Sequence, residues 1–156
     1  MERVCLKGGG IMFLGEYQHA IDAKGRLIIP AKFRDALAEG FVMTKGLDGC
    51  LFVYPIDAWH ELEEKLRKLP LSHKDARAFS RFFFAGASDG EMDKQGRVMI
   101  PNNLREYGAI EKDVIVVGMS DRMEIWDLAR WNAYNDDDGQ TFEQLAELMG
   151  QYNVNI

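Results

Sequence analysis

The residues best suited to chemistry come as a matched pair. Asp22-Ala23-Lys24-Gly25-Arg26 and Asp93-Lys94-Gln95-Gly96-Arg97 each set a carboxylate four residues ahead of a guanidinium, with a lysine and a glycine between. Each segment reads as a turn. The Asp side chain can accept bonds from the backbone ahead of it, and Gly supplies a positive φ. A turn that projects lysine and arginine suits a polyanion, because cations placed against regularly spaced phosphates bind a duplex. Arginine can also bond guanine in two places at once. Arg26 and Arg97 are therefore the candidates for base reading, and Lys24 and Lys94 the candidates for phosphate contact. Asp22, Asp93, Gly25 and Gly96 shape the turns. Lys32, Arg34 and Arg105, just downstream, can add phosphate contacts. The lysines correspond less well than the arginines: Gln95 stands where the first copy has Lys24, and Lys94 is shifted by one. An ion pair that merely ties a turn is the competing reading, and the residue types alone leave it open.

Other constellations carry less. His60-Glu61-Leu62-Glu63-Glu64 lacks the second histidine of a zinc-protease helix. His19 and His73 have no partner at ligand spacing. Gly8-Gly9-Gly10 lacks the Lys-Ser/Thr ending of a phosphate loop. Cys5 and Cys50 are the two cysteines and form no C-x-x-C, and Cys50 lies in an expected strand as a small buried hydrophobe. The reading contains no catalytic residue, no metal site and no cofactor.

The elements that must position the paired turns are themselves duplicated. Asp22 to Arg34 recurs as Asp93 to Arg105 with six identities in thirteen positions, at an offset of 71. At an offset of 72, Phe41-Val42-Met43 faces Asp113-Val114-Ile115, Gly46 faces Gly118, Tyr54 faces Trp126 and Trp59 faces Trp131. Each copy parses as a turn, a short strand (Leu27-Ile28-Ile29 or Val98-Met99-Ile100) read as buried on both faces, a short helix opened by Pro30 or Pro101, and a β-hairpin. Tyr54 and Trp126 are expected in the core. Copies at about 16–59 and 87–131 are too small to fold alone, so they are expected to share one core in a domain over 12–134. Two helices connect them across 57–84: Asp57 can cap the first, and Ser72 with Asp75 the second. Leu128 to Tyr134 reads as helical, with Asp136 to Gly139 as a linker or solvated turn. A tail over 135–156 follows, in which Thr141-x-x-Gln144 is a capping box ahead of Leu145 and Leu148.

Met12-Phe-Leu-Gly-Glu-Tyr-Gln-His-Ala-Ile-Asp-Ala-Lys-Gly-Arg-Leu-Ile-Ile-Pro-Ala-Lys-Phe-Arg34, with the second Asp-x-x-x-Arg and its apolar triplet and proline, resembles the MraZ family over about Met12 to Tyr134. The resemblance implies an α+β, mainly β fold: a pseudo-two-fold, swapped-hairpin barrel of AbrB/SpoVT type with flanking helices. It implies a bacterial transcriptional regulator that binds short direct repeats in the promoter of the division and cell-wall gene cluster, its own operon, as a ring-shaped homo-oligomer. Phe79, Phe82, Phe83 and Phe84 are the expected ring contact, since aromatic residues are enriched at interfaces; packing of the helix on its own core is the competing reading for two of the four. An antitoxin-type protein-interaction module is the other class of function the fold implies; the Phe-rich helix and acidic tail fit that class, the basic turns fit the first.

Charge looks unfavourable to DNA at first. Nineteen basic against twenty-five acidic residues give a formal net charge of −6. Five of those acids and no base lie between Asn135 and Ile156, so the remaining body is near neutral and free to carry a local basic patch. Apolar runs are only a few residues long, so no membrane partner is expected. Lys7-Gly8-Gly9-Gly10 resembles a translated ribosome-binding sequence. Residues 1–11 are therefore read as an extension ahead of a native start at Met12, with no signal peptide and a cytoplasmic, nucleoid-associated location.

Overall fold

The computed structural model describes residues 12–137 and 139–155. The expected extension over 1–11, and Asp138 of the acidic run, lie outside the described residues. The chain runs β1 (Glu16–Ala20), β2 (Arg26–Ile28), β3 (Phe41–Lys45), β4 (Leu51–Pro55), α1 (Ile56–Arg67), α2 (Lys74–Ala85), β5 (Ser88–Gly90), β6 (Arg97–Met99), α3 (Asn102–Tyr107), β7 (Asp113–Gly118), β8 (Met123–Asp127), α4 (Leu128–Asp137) and α5 (Phe142–Leu148). Where the second copy has α3, the first has two 3-10 turns, Ala31–Phe33 and Asp35–Leu37. Pro30 and Pro101 sit just ahead of these segments as their N-caps.

Six strands form one antiparallel sheet in the order β1-β7-β8-β4-β3-β5, and β2 pairs with β6 in a separate two-stranded ribbon. The fold is thus α+β, but the expected barrel is not formed among the described residues. The sheet stays open, with β1 and β5 at its edges, because the ribbon strands hydrogen-bond each other and do not bridge those edges.

The halves exchange strands throughout. β1 of the first copy lies on β7 of the second, β5 of the second lies on β3 of the first, and β4 pairs with β8. The pairing is symmetric about two points. Leu27 faces Val98 at the centre of the ribbon, and Phe52 faces Glu124 at the centre of the sheet. A pseudo-two-fold therefore passes through both. Neither copy can complete its sheet alone, which is why units of this size share a core.

The register corrects the sequence alignment by one residue in β7. Phe41 and Met43 point into the same core layer as Val114 and Val116, whereas Val42 shares the opposite layer with Ile115. The structural offset in this strand is therefore 73, not 72. Side chains alternate faces with period two, so a slip of one would send each of these residues to the wrong layer.

Two layers flank the sheet. Leu27, Ile29, Phe33, Leu37, Val98 and Ile100 pack beneath one face. Trp59, Phe83 and Trp126 fill the other, under α1, α2 and α4. Tyr54 and Trp126 are buried as expected. So is Cys50, whose thiol is pushed up to about 12, chiefly by removal from water and then by the nearby Glu124 carboxylate. It is therefore an inert thiol.

Helix termini depart in detail from the expected caps. Asp57 falls within the first turn of α1, Pro55 holds its N-cap, and His73 holds that of α2. α4 runs on through Asp137, so part of the acidic stretch is helical and not a linker. The Thr141/Gln144 capping box forms as expected, with both reciprocal bonds. Among the described residues no helix is long and apolar enough to cross a membrane.

Candidate nucleic-acid interface

Each Asp-x-x-x-Arg segment closes the same tight turn. Gly25 N–H donates to Asp22 O at 2.9 Å and Asp22 N–H donates to Arg26 O at 2.9 Å; Gly96 and Asp93 repeat both bonds at 3.0 and 2.9 Å. Gly25 (φ +82°) and Gly96 (φ +80°) take the left-handed conformation that carries the chain from the turn into the strand. The aspartates bind the turn from within. Asp22 Oδ1 accepts from the N–H groups of Lys24 and Arg26, each at 2.9 Å, and Asp93 Oδ1 accepts from those of Gln95 and Arg97 at the same distances.

The second oxygen of each carboxylate fixes the arginine. Arg26 Nε donates to Asp22 Oδ2 at 2.7 Å, and Arg97 Nε to Asp93 Oδ2 at 2.8 Å. The arginine backbone N–H, helped by its side chain and by the N–H two residues into the turn, holds each carboxyl below the usual carboxylate range against a smaller opposing effect of desolvation. These contacts use Nε alone. No described residue bonds the terminal nitrogens of either guanidinium.

Pairing of β2 with β6 sets both arginines on one face. Arg26 is opposite Met99 and Arg97 is opposite Ile28, while Leu27 and Val98 point into the core. Opposed residues of an antiparallel pair project to the same side. The ribbon's outer face is therefore Arg26, Ile28, Arg97 and Met99, with exposed Lys24 and Lys94 in the flanking turns. The arginine side chains are 29% and 25% exposed. This overturns the expectation that the two triplets are buried on both faces. Ile28 and Met99 stand in solvent because only the ribbon's inner face meets the sheet.

Arg34 and Arg105 hold a different position, across the pseudo-two-fold. A Cβ added to Gly25 would lie 2.8 Å from the Arg105 guanidinium carbon, and one added to Gly96 would lie 2.6 Å from that of Arg34. Each guanidinium thus lies against the turn of the other half. Arg34 Nε donates to Ile29 O at 2.9 Å, while Arg105 Nε is buried without a partner. The turns are tied across the halves as well: Ile29 N–H donates to Gly96 O and Ile100 N–H to Gly25 O. Both arginines stay partly exposed. Lys32 sits elsewhere, with its ammonium 5.7 Å from the Tyr17 ring centroid.

Among the four phenylalanines expected at an interface, two belong to the chain's own core. Phe83 is buried and stacks on Trp59 with centroids 5.6 Å apart, and Phe84 meets the same indole edge-on at 5.8 Å. Thr44 Oγ1 donates to Phe83 O at 2.8 Å, fixing the helix to β3. Phe79 and Phe82 remain 43% and 65% exposed. Sequence reasoning missed Ile28 and Met99. The signal was present in the adjoining arginines, since alternation from an outward Arg26 places Ile28 outward too.

Fold and site together define a duplicated, strand-exchanged β module that displays a symmetric basic ribbon. The chain belongs to the MraZ family. The family model described as "MraZ protein, putative antitoxin-like" matches it twice, over residues 12–82 and 83–151. Three curated relatives each match over 143 residues, 92% of this chain and all of the relative. They are the transcriptional regulator MraZ of Acetivibrio thermocellus at 56% identity, that of Heliobacterium modesticaldum at 55% and that of Caldanaerobacter subterraneus subsp. tengcongensis at 57%. The relatives named are regulators, not enzymes.

Proposed function

We propose that this protein is a sequence-specific DNA-binding regulator. It acts in the cytoplasm at the nucleoid, on short direct repeats in the promoter of its own division and cell-wall operon, as a ring homo-oligomer. The observation that carries the reading is the ribbon's outer face, which Arg26 and Arg97 share on a diagonal, one on each strand, with their terminal nitrogens unbonded by any described residue. The major groove, about 12 Å wide, admits a two-stranded β-ribbon. Inserted there, the two arginines read base edges, Ile28 and Met99 meet thymine methyl groups, and Lys24 and Lys94 pair with phosphates on either wall. Arg34 and Arg105 brace the turns from behind and offer their free edges to phosphate, with Lys32 at the periphery. The aspartates aim the arginines; as carboxylates they do not face the duplex.

A mobility-shift titration on the upstream promoter tests this against the antitoxin-type reading. Wild type binds and Arg26→Ala and Arg97→Ala each bind more weakly. A wild-type chain that ignores the promoter removes the function, and two variants that bind like wild type remove the ribbon as the site.

A further inference from the structure

The duplication leaves one helix without a seat. In each half, the helix after the hairpin is followed by a second: α1 by α2, and α4 by α5. α2 is anchored, through Phe83 on Trp59 and the Thr44 bond. α5 has no buried residue. Phe142, Leu145 and Leu148 of α5, and Tyr152 just beyond, are all exposed at helical spacing as one apolar stripe. An exposed stripe of this kind marks an interaction surface.

A complementary surface lies on the same chain. Leu47, Leu62, Leu66, Phe79 and Phe82 line an open, mainly apolar cleft of about 560 Å3 between α1, α2 and the β3–β4 turn. Lys45 lines it too, with its ammonium 5.1 Å from the Phe82 ring centroid and 5.5 Å from that of Tyr107. Exposed Arg81 projects from α2 beside Phe82, while the exposed residues toward the end of α1 are of both signs, Glu61 and Glu64 followed by Lys65 and Lys68. The tail that carries α5 has acids and no lysine or arginine. An amphipathic acidic helix and an apolar groove that holds Lys45, with Arg81 beside it, match in shape class and in charge.

We propose that α5 of one copy docks into the α1–α2 cleft of the next copy. Helix and groove are different patches of one chain, so the contact is head-to-tail. Repeated contacts of that type close into a ring when the rotation allows. The inference rests on the ring reading above and names the contact that builds it. It also accounts for the exposure of Phe79 and Phe82 after their neighbours have entered the core.

Full-length variants test it by sedimentation velocity, with circular dichroism to confirm folding. Leu145→Glu/Leu148→Glu disables the stripe; Phe82→Glu, and separately Leu47→Glu, disables the groove. All four positions are exposed, so the fold is retained. Each variant alone is expected to fall from the wild-type assembly to monomer. A one-to-one mixture of stripe and groove variants retains one intact stripe and one intact groove, and is expected to form a heterodimer and nothing larger. Three results overturn the proposal: a stripe variant that keeps the wild-type mass, assembly that survives both groove substitutions, or a mixture that stays monomeric. A wild-type chain that is itself monomeric in the same run overturns the ring reading, which separates that failure from the others.

Discussion

Arg26 and Arg97 owe their usefulness to what their aspartates leave untouched. Each carboxylate takes Nε and two backbone N–H groups and leaves the outer edge of the guanidinium unbonded by any described residue, which the proposed reading assigns to a base. A lost bidentate arginine–guanine contact costs about 1–3 kcal/mol of discrimination, so each alanine variant should lose roughly ten- to hundredfold in specific affinity. Lys24→Ala and Lys94→Ala should instead weaken binding to all sequences alike and lower the slope of log affinity against log salt by about 1 each. Anisotropy titrations on promoter and random duplexes at several salt concentrations separate the two behaviours. The carboxylates have their own signature. Because Asp22 and Asp93 are held below 3.8 in the folded chain, their contribution is complete above that pH and is lost as pH falls through the depressed folded value. The urea-midpoint gap between wild type and Asp22→Asn should thus stay constant from pH 8 to pH 5 and narrow only below about 3.8. A gap that closes near neutrality would refute that account. The arginines and their aspartates were legible from residue type and repetition alone, because a turn is a local structure.

At the level of elements, the sequence was less informative, and the reasons are physical. Each half's turn, short strand and hairpin are encoded locally, by Asp, Gly and Pro at fixed offsets. Partner choice is not. Nothing in Arg26–Ile28 says that its partner is Arg97–Met99, because that pairing depends on how two distant halves interleave. A three-residue apolar run is also too short to reveal which residue faces out, so Ile28 and Met99 read as core. Arg34 and Arg105 looked like free cations because the glycines they pack against lie about 60–80 positions away in sequence. Those glycines now support a prediction. Gly25→Ala and Gly96→Ala force an L side chain into the left-handed region, at about 1–2 kcal/mol each. They also push a Cβ against the guanidinium of Arg105 or Arg34, which must shift to make room. Thermal unfolding should show a drop of several degrees for each variant. A Gly90→Ala change at the exposed sheet edge is a poor control, since its Cβ would press on Phe41. Gly139→Ala, with open space around it, isolates the φ penalty alone (φ +72°). It should cost less than either turn substitution.

For the whole molecule, the decisive property is that one ribbon is a small contact. On the DNA-binding reading proposed above, two arginines, two lysines and two apolar side chains would make a weak and salt-sensitive grip on a duplex. Placing several ribbons on one rigid assembly makes every contact after the first intramolecular, which multiplies avidity by about 10²–10⁴ when the DNA repeats match the spacing of the ribbons. The gain depends on helical phase as well as distance, because a ribbon enters the groove only where the groove faces it. Inserting about five base pairs between adjacent promoter repeats turns the second repeat to the far side of the duplex, given a helical turn of about 10–10.5 base pairs. Inserting about ten restores the face at a longer distance. The assembled protein should therefore lose most of its avidity on the five-pair insert and recover part of it on the ten-pair insert. The Leu145→Glu/Leu148→Glu variant, reduced to single copies, should bind all three duplexes with the same low affinity. Equal binding of the wild type to all three would mean that each copy finds its repeat independently, and assembly would then contribute nothing to recognition.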